Sequence, residues 1–579
     1  MNQADSNCTL LFDEISLCQG FRYERVQQYL SGFEDIGHLG RTNKAANHAL
    51  VFMVRGVRKQ WKQVIAYYFT SKTIQTANLK FLIKEIISQL QGIGLNVLAT
   101  VCDQGPTNCA ALRELCDQRH PRQSSYYFFV KDKPIVTIFD VPHLLKNTRN
   151  ALLKCKIQFA PHKWARFHHI ESVFNFDQQK TFKSLPKLKQ PHFNLKNDSY
   201  MKMKVKVAAA QLSSSMASAM ETLTTLGVLP AEAIFTAEFV QKVDDLFDSL
   251  NSGNSKPVDH KRFRCALSRN SPHLDFWKKL LTELNNWKLI DLDTDADLSN
   301  RYSFVRGWQT TIRSIIFLWD TLKDRNGFDY LNLRSFNQDP LENLFSSIRQ
   351  HGAANTNPTC HQFTAALKTV VVNSLASPKG VDRNCEDDNC TPLDDLVTLL
   401  KFSGDTSTET QEQLSQTEVS VDFISPEFED LPVEDTQGLA YVAGWVLKNI
   451  DTPDCDNCRN ILFSKAATPR HLLTTFKEVD NSQRLTYTSD HVMGFVQNIH
   501  HCLYEFLDKC GFQRNLENSF KSSFKQKVDF GQIHCVEHNC FNLILDKCTT
   551  FLIYKYCRDK DKFSAVSEGH QRKMKRLKK

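Results

Sequence analysis

The chain has 579 residues, a formal net charge of +8, 41% hydrophobic residues and 40 Phe. That length exceeds the roughly 250 to 300 residues at which a single core stops growing, so two or three domains are expected, and the apolar content excludes a disordered chain. No run approaches the roughly 18 apolar residues of a membrane span, no leader pattern opens the chain, and the Cys form no dense framework; an unexported protein in a reducing compartment, with no membrane partner, is expected. The mild positive charge suits a polyanionic partner without identifying one.

In chain order, residues 8–18 (CTLLFDEISLC) form an apolar run that crosses an acidic pair, as a central strand carrying a site would. Residues 48–69 are two β-rich runs around a basic, Gly-containing turn, an antiparallel hairpin. TANLKFLIKEIISQLQGIGL repeats apolar residues at three and four and closes on Gly, so it reads as an amphipathic helix. NVLATVCDQGPTN is a strand entering a Gly-Pro turn, NCAALRELC a helix, and KPIVTIFDVPHLLKNTRNALL a fifth strand leading into a helix. Three antiparallel strands followed by alternating helix and strand make an α/β order of the RNase H pattern. From about 155 to 325 the pattern turns helical and irregular, rich in Lys, Phe and Ser. The patterned helix SFNQDPLENLFSSIRQHG follows it. Residues 404–437 are dominated by Ser, Thr, Gln and acids, with no Lys or Arg, and read as a flexible acidic linker. A last helical region begins at GLAYVAGWVLKNI and ends in the basic QRKMKRLKK, which reads as a nuclear-import or phosphate-contacting tail or as a solvated charged end. The expected fold class is therefore α/β, an RNase H-like fold interrupted by a mostly helical insertion and followed by a mostly helical C-terminal region. The expected division is 1–154 and 329–403 for the two parts of the RNase H-like domain, 155–328 for the insertion, 404–437 for the linker and 438–579 for the helical domain.

Asp13 lies mid-strand in LLFDEIS and Asp103 ends NVLATVCD. On neighbouring parallel strands both carboxylates project from one face at similar depth. Two acids there repel unless a cation or proton neutralises them, and Mg²⁺ or Mn²⁺ prefers oxygen ligands of this kind. Two ions about 3.5 to 4 Å apart serve in-line phosphoryl displacement. A third acid is expected from a helix over the sheet, and QDPLENLFSSIR supplies Asp339 and Glu342 on one helix face. The same segment also reads as a capping box, with Asp339 at N-cap, Pro340 at N1 and Glu342 at N3. Asp13 also reads as a surface acid of an edge strand, and Asp103 as a turn-forming residue before Gln-Gly-Pro.

FDEISL, VCDQGPTN, FDVPHLLKNTRN and QDPLENLFSSIRQHGAANTNPT, in this order over some 350 residues, resemble the signature blocks of the P-element transposase family, shared by the related THAP-domain proteins. The resemblance implies a DDE-type cut-and-paste DNA transposase in the nucleus, acting on transposon ends and target DNA as a homo-oligomer. It implies a catalytic, metal-holding triad of Asp13, Asp103 and Glu342, with Asp339 as a neighbouring assistant. Asp140, His143 and Lys146 of the third block read as shaping the strand exit and helix start, with Lys146 and Arg149 available to a DNA phosphate.

The same family carries a GTP-binding domain before the helix of the last acid. No G-x-x-x-x-G-K-S/T loop is present, so the GTP expectation rests on resemblance alone. KMKVKVAAAQLSSSMASAM resembles the nucleotide-contacting block, which assigns Lys204, Val205 and Ser213, and LFDSLNS resembles the guanine-reading block, which assigns Phe247, Asp248 and Asn251. As residues alone they read as a helical Lys/Ala face and an acid near a helix end. CDNC, with Cys455 and Cys458, and the later IHCVEHNC offer a possible zinc set, taken as Cys455, Cys458, His534 and His538 with Cys535 and Cys540 beside them. Some eighty residues separate the halves, unlike a compact finger, and reduced buried thiols are the other reading. Family members begin with a zinc-binding THAP domain and a dimerising helical region, whereas this chain starts almost at the first acid-bearing strand. A fragment or decayed copy, or a host gene keeping the catalytic body, is expected on that ground. The competing function is a domesticated, non-catalytic nuclear DNA-binding or protein-interaction protein.

Overall fold

The central strand β1 (Asn7–Ser16) is apolar and buried from Asn7 through Phe12, which places it inside a sheet. The structure, a computed structural model, describes residues 5–117, 126–194, 199–258, 261–324, 328–351, 357–372, 391–392, 432–478, 485–527, 535 and 538–577. After β1 the chain makes an excursion of short strands, β2 (Arg22–Glu24), β3 (Tyr29–Ser31), β4 (Phe33–Asp35) and β5 (Arg41–Ala45). Gly32 joins β3 to β4 at φ 111°, where a Cβ would meet the Gly20 carbonyl oxygen at 2.3 Å, so only Gly fits this corner. The expected hairpin follows as β6 (His48–Gly56) and β7 (Trp61–Thr70), then helix α1 (Thr76–Gly92), β8 (Asn96–Cys102), α2 (Pro106–Asp117), β9 (Tyr127–Val130), β10 (Lys133–Phe139) and α3 (Val141–Leu152).

The strands lie in the order β2-β3-β4-β7-β6-β1-β8-β10-β9, with β5 beside β4. β1, β6 and β7 run antiparallel to their neighbours in this set, whereas β1, β8 and β10 are mutually parallel. One element of the sheet runs against expectation. The β2–β5 excursion was not foreseen, because three-residue strands carry too few residues to show a period of two.

The insertion has its own small sheet, β12-β11-β14, from β11 (Cys155–Ala160), β12 (Lys163–Ala165) and β14 (Lys288–Asp291); β13 (Leu267–Ser268) pairs with β15 (Tyr330–Leu331). Helices α4 (Phe167–Gln178), α5 (Ser199–Met203), α6 (Val205–Gln211), α7 (Ser214–Thr225), α8 (Ala233–Leu250) and α9 (His273–Leu284) make up the rest. The long α10 (Phe304–Leu322), which the sequence assigns to the insertion, lies on the main sheet. Its Thr311 hydroxyl accepts from Phe139 N at 3.1 Å and its Ser314 hydroxyl donates to Thr137 O at 2.6 Å. Trp308 of α10 is fully buried and donates to Thr148 of α3 at 3.0 Å. Burying an indole removes roughly 150 to 250 Å² from water, worth about 4 to 6 kcal/mol before entropy, so α10 is a principal weld between sheet and α3. Helices α11 (Asp339–Gln350) and α12 (Cys360–Val372) return to this core.

The C-terminal region is helical: α13 (Val433–Lys448), α14 (Asp456–Leu462), α15 (Leu472–Phe476), α16 (Asp490–Cys510), α17 (Leu516–Lys527) and α18 (Cys540–Leu577). The expected linker 404–437 lies outside the described residues up to 431, and its last residues already belong to α13. These helices form a second apolar core that takes in Tyr23, Leu30 and Phe33 of the excursion. Asp561 accepts from Phe21 N at 2.8 Å, and Gln28 O accepts from Leu516 N at 2.9 Å. The excursion is thus the seat of the helical region. Among the described residues no helix is long and apolar enough to cross a membrane.

Candidate active site

Parallel pairing fixes where the acids fall. Leu11 pairs with Val101, and Phe139 with Cys102, so two residues further on β1 and one on β10 the register brings Asp13, Asp103 and Asp140 level at the carboxyl ends of three adjacent strands. Residues level on adjacent strands share a face, and the carboxyl edge of parallel strands is where open α/β sheets form crevices. Pairing of β1 with β8 stops at Leu11, and the freed carbonyl of Phe12 is taken by Gln338, whose Nε2 donates to it at 2.9 Å. Gln338 N donates to Asp140 Oδ1 at 2.8 Å, and the other oxygen of Asp140 caps α3 by accepting from His143 N at 2.9 Å. These bonds seat the start of α11 on the sheet edge, so that Glu342, one turn in, reaches the acids.

Glu342 Oε1 lies 3.0 Å from His143 Nε2. Asp103 Oδ1 accepts from Gly105 N at 2.9 Å and from Asn108 Nδ2 at 2.7 Å, and Asp13 Oδ1 accepts from Glu14 N at 2.8 Å. Burial first, then the charges of Asp103 and Glu342, push the Asp13 carboxyl up to about 8, against the lowering effect of His143. Burial and Asp103 push Glu14 up to about 7. Burial alone would depress His143, but the hydrogen bond to Glu342 and the charge of Asp140 outweigh it and raise the imidazole to about 9. Asp13, Asp103 and Glu342 are each half-buried and so remain within reach of solvent. The structure therefore brings together three carboxylates from positions 13, 103 and 342, with one imidazolium as their protein counter-charge. Gln338, Asp140 and His143 position them. Sequence reading missed Gln338 altogether and gave Asp140 and His143 only a shaping role.

Asp339 faces elsewhere. It is the first residue of α11, not its N-cap; Gln338 holds that place without a side-chain cap, so the expected capping box is absent. The Gln338 side chain is bound to Phe12 O instead, while its carbonyl accepts from Leu341 N at 2.9 Å and Glu342 N at 3.0 Å. The Asp339 carboxylate accepts from Asn337 Nδ2 at 2.8 Å and sits 3.4 Å from Arg334. Burial, then Asp140, raises it to about 7, opposed by Arg334 and Arg55. Asn337 also donates to Asn251 Oδ1 at 3.0 Å, which joins this network to the end of α8.

The other residues expected to hold nucleotide lie on α6, α7 and α8. Lys204 precedes α6 with its ammonium 4.4 Å from the Tyr200 ring centroid, Val205 begins α6, and Ser213 caps α7 by accepting from Met216 N at 3.3 Å. Phe247 packs against the main core, and Asp248 shares Lys261 with Asp244, at 2.8 and 2.6 Å. A cavity of about 1000 Å³ opens between α3, α4, β14 and α10, lined by Asn147, Lys154, Phe193, Lys202, Arg301 and Tyr302 among others. None of the six assigned residues lines it.

Arg149, expected to be free for a DNA phosphate, is fully buried and corrects that expectation. Its guanidinium donates to Gln211 at 2.7 Å, to Lys202 O at 2.9 Å and to Asn150 at 2.8 Å, tying α3 to α5 and α6, and burial brings its pKa down to about 10. Lys146 keeps partial exposure. Of the expected zinc set, Cys455, Cys458 and His538 come together, and Cys535 stands with them; His534 lies outside the described residues.

Three family models match the chain in order: the TNP-like RNase H N-terminal domain over residues 1–116, the TNP-like GTP-binding insertion domain over 142–262, and the TNP-like RNase H C-terminal domain over 335–368. The transposable element P transposase of Drosophila melanogaster is 25% identical over 395 residues, 67% of this chain and 48% of that protein. The chain thus spans about half the length of the curated relative it matches. The solved Drosophila P element transposase strand transfer complex matches with a TM-score of 0.54 and 24% identity, over 64% of this chain and 78% of that one, a likeness of fold. An RNase H-like domain split around an insertion of the GTP-binding type, in this order and on this sheet, supports a relationship to the P-element transposase-like family.

Proposed function

We propose that the protein is a DDE-type DNA transposase, a metal-dependent polynucleotidyl transferase that cleaves phosphodiester bonds at element ends and joins the freed ends to target DNA. The observation that carries this reading is the convergence of Asp13, Asp103 and Glu342 at the carboxyl edge of β1 and β8 under the start of α11. A carboxylate held up to about 8 by burial first and then by its acidic neighbours is a group that bound positive charge would stabilise in its ionised form, and an all-oxygen donor set fits two Mg²⁺ or Mn²⁺ ions. When bound, such ions make the attacking oxygen a better nucleophile and stabilise the leaving one. The chain's own residues orient those carboxylates: His143 holds Glu342, Gly105 and Asn108 hold Asp103, and Gln338 locks α11 to β1. In the first step a water oxygen attacks phosphorus and a 3′-hydroxyl leaves. In the second that hydroxyl attacks a target phosphodiester, forming one bond as the target's own 3′-oxygen departs.

DNA as the partner is supported by the family and by the strand transfer assembly of the relative. GTP as a structural cofactor is supported by the insertion-domain match, with Lys204, Val205, Ser213, Phe247, Asp248 and Asn251 as its contacts; guanine would have to draw Asp248 from Lys261. A nuclear location and assembly as a homo-oligomer on DNA belong to the same reading.

The test is incubation of the purified chain with Mn²⁺, short duplexes carrying exposed 3′-hydroxyl ends, and supercoiled plasmid. Joined products that vanish in Asp103→Asn and Glu342→Gln, with folding intact, are expected. Binding without nicking or joining in the unaltered protein would replace this reading with that of a non-catalytic DNA-binding descendant, and joining that survives both variants would remove the acids from the chemistry.

A further inference from the structure

Apart from the carboxylates at the sheet edge, one group among the described residues already has its ligating atoms close enough together to hold a metal ion, and it lies in the C-terminal helical region. Cys455, Cys458, Cys535 and His538 place three sulfurs and one imidazole nitrogen all within 4.8 Å of one another. They come from two short knuckles, C-D-N-C and C-V-E-H, each with two residues between its ligands and some eighty residues apart in the chain.

The spacing between atoms is what selects the occupant. A tetrahedral zinc with bonds of about 2.3 Å to sulfur and about 2.0 to 2.1 Å to nitrogen needs sulfur pairs about 3.8 Å apart and sulfur–nitrogen pairs about 3.6 Å apart. Cys455 Sγ and Cys535 Sγ are 3.9 Å apart, and Cys535 Sγ is 3.8 Å from His538 Nδ1. Four soft donors with no carboxylate among them favour zinc over magnesium or calcium. The set is complete at four and partly to wholly buried, which is the pattern of a structural site without an open position for substrate. Two neighbours supply outer contacts of the type that orient ligands: Asn457 Nδ2 donates to Cys535 Sγ at 3.7 Å, and the Cys540 thiol donates to Cys458 Sγ at 3.5 Å.

We propose that Cys455, Cys458, Cys535 and His538 bind one structural zinc ion that clamps the start of α14 to the segment entering α18. The clamp acts on the second core. Cys458, Cys535 and Cys540 are members of the apolar cluster that contains α13, α16 and α18 and that grips Tyr23, Leu30 and Phe33 of the excursion. Zinc therefore ties the far end of the chain to the sheet that carries the acids. This site is independent of the transposase reading, since nothing in it touches the carboxylate cluster's residues.

The full chain, purified under reducing conditions without added metal, is assayed for zinc by plasma mass spectrometry and, after exchange with Co²⁺, for the visible absorption of tetrahedral cobalt–thiolate. About one zinc per chain and a cobalt spectrum of three thiolates are expected. Cys535→Ser and Cys458→Ser should each drop zinc to near zero, whereas Cys540→Ser, altering a donor and not a ligand, should keep it. The cobalt measurement on the unaltered chain holds even where a ligand variant fails to fold. Absence of stoichiometric zinc with every thiol free to an alkylating reagent overturns the proposal, as does a disulfide joining Cys455 to Cys535 in the reduced preparation. Retention of zinc by Cys535→Ser, or its loss from Cys540→Ser alone, overturns the ligand assignment.

Discussion

The two ligand clusters are built on opposite principles. At the sheet edge, three half-buried carboxylates crowd together with one imidazolium against them, and burial first, then the neighbouring acids, drives Asp13 up to about 8. In the helical region, three sulfurs and an imidazole sit inside an apolar core, at the spacings of one closed coordination shell. The first arrangement stores electrostatic strain at an opening, as a site that must act on a polyanion requires. The second spends its ligands on holding elements together. The contrast is between a place that needs ions to work and a place that needs one to stand.

Substitution sharpens this contrast most. Asp13→Asn and Asp103→Asn should lower DNA joining by about a thousandfold or more, ~4 kcal/mol in barrier, while raising the melting temperature in metal-free buffer above about pH 8, where Asp13 too is ionised and each substitution removes a like charge from the cluster. Cys535→Ser should do the reverse to stability and lower the melting temperature of the zinc-loaded chain. Thermal melts beside gel assays read both, and an Asp13→Asn chain less stable than the unaltered one would break the comparison. Next in size, Arg149→Met should cost about 3 kcal/mol of stability, since a buried cation loses bonds to Gln211, Lys202 and Asn150. Lys146→Ala should leave stability alone and lessen the salt dependence of DNA affinity by about one unit of slope. A chemical denaturation curve and a salt titration of binding separate the two residues.

A smaller effect is expected one step out from the acids. His143→Ala and Gln338→Ala should lower joining by roughly 10- to 100-fold, ~2 kcal/mol, as positioning residues do, with the loss in His143→Ala deepening at low metal concentration. A separate effect is on the pH dependence of stability. Burial holds His169 and His273 of the insertion down at about 4, against an ordinary value near 6.5. Between about pH 6.5 and 4 the unfolded chain binds protons that the folded one refuses, so these groups make stability fall as pH falls through that window and leave it flat above it. His273 packs 5.4 Å from Trp277, so tryptophan fluorescence during denaturation at pH 7 and pH 5 reports the change, and His273→Asn should reduce it.

Much of the arrangement was legible where long elements carry it. The run LLFDEIS, the hairpin at 48–69 and the strand–acid step NVLATVCD all stand as strands, because burial on both faces writes apolar residues densely along β1, β6 and β8, and the half-buried β7 is rich in β-branched and aromatic residues. What escaped reading was decided by tertiary contact. The excursion β2–β5 has no period of its own and takes its order from the helices packed on it. Asp339 and Glu342 share a helix face by spacing, yet the anchoring of Gln338 on Phe12 O turns one toward Asn337 and the other toward His143. Arg149 looked like a phosphate ligand because charge implies exposure in a sequence, whereas Gln211 and two carbonyls from α5 make burial tolerable. The part of Cys535 could not be read from IHCVEHNC, which offers several ligand types within a turn of His538, and only the fold shows its sulfur 3.9 Å from that of Cys455.

The central claim is tested most directly by anomalous diffraction from crystals grown with Mn²⁺. A manganese peak bounded by the carboxylates of Asp13, Asp103 and Glu342, and lost in crystals of Asp103→Asn, is the predicted result. Manganese absent from that edge, or bound instead between Asp339 and Asp248, would contradict it.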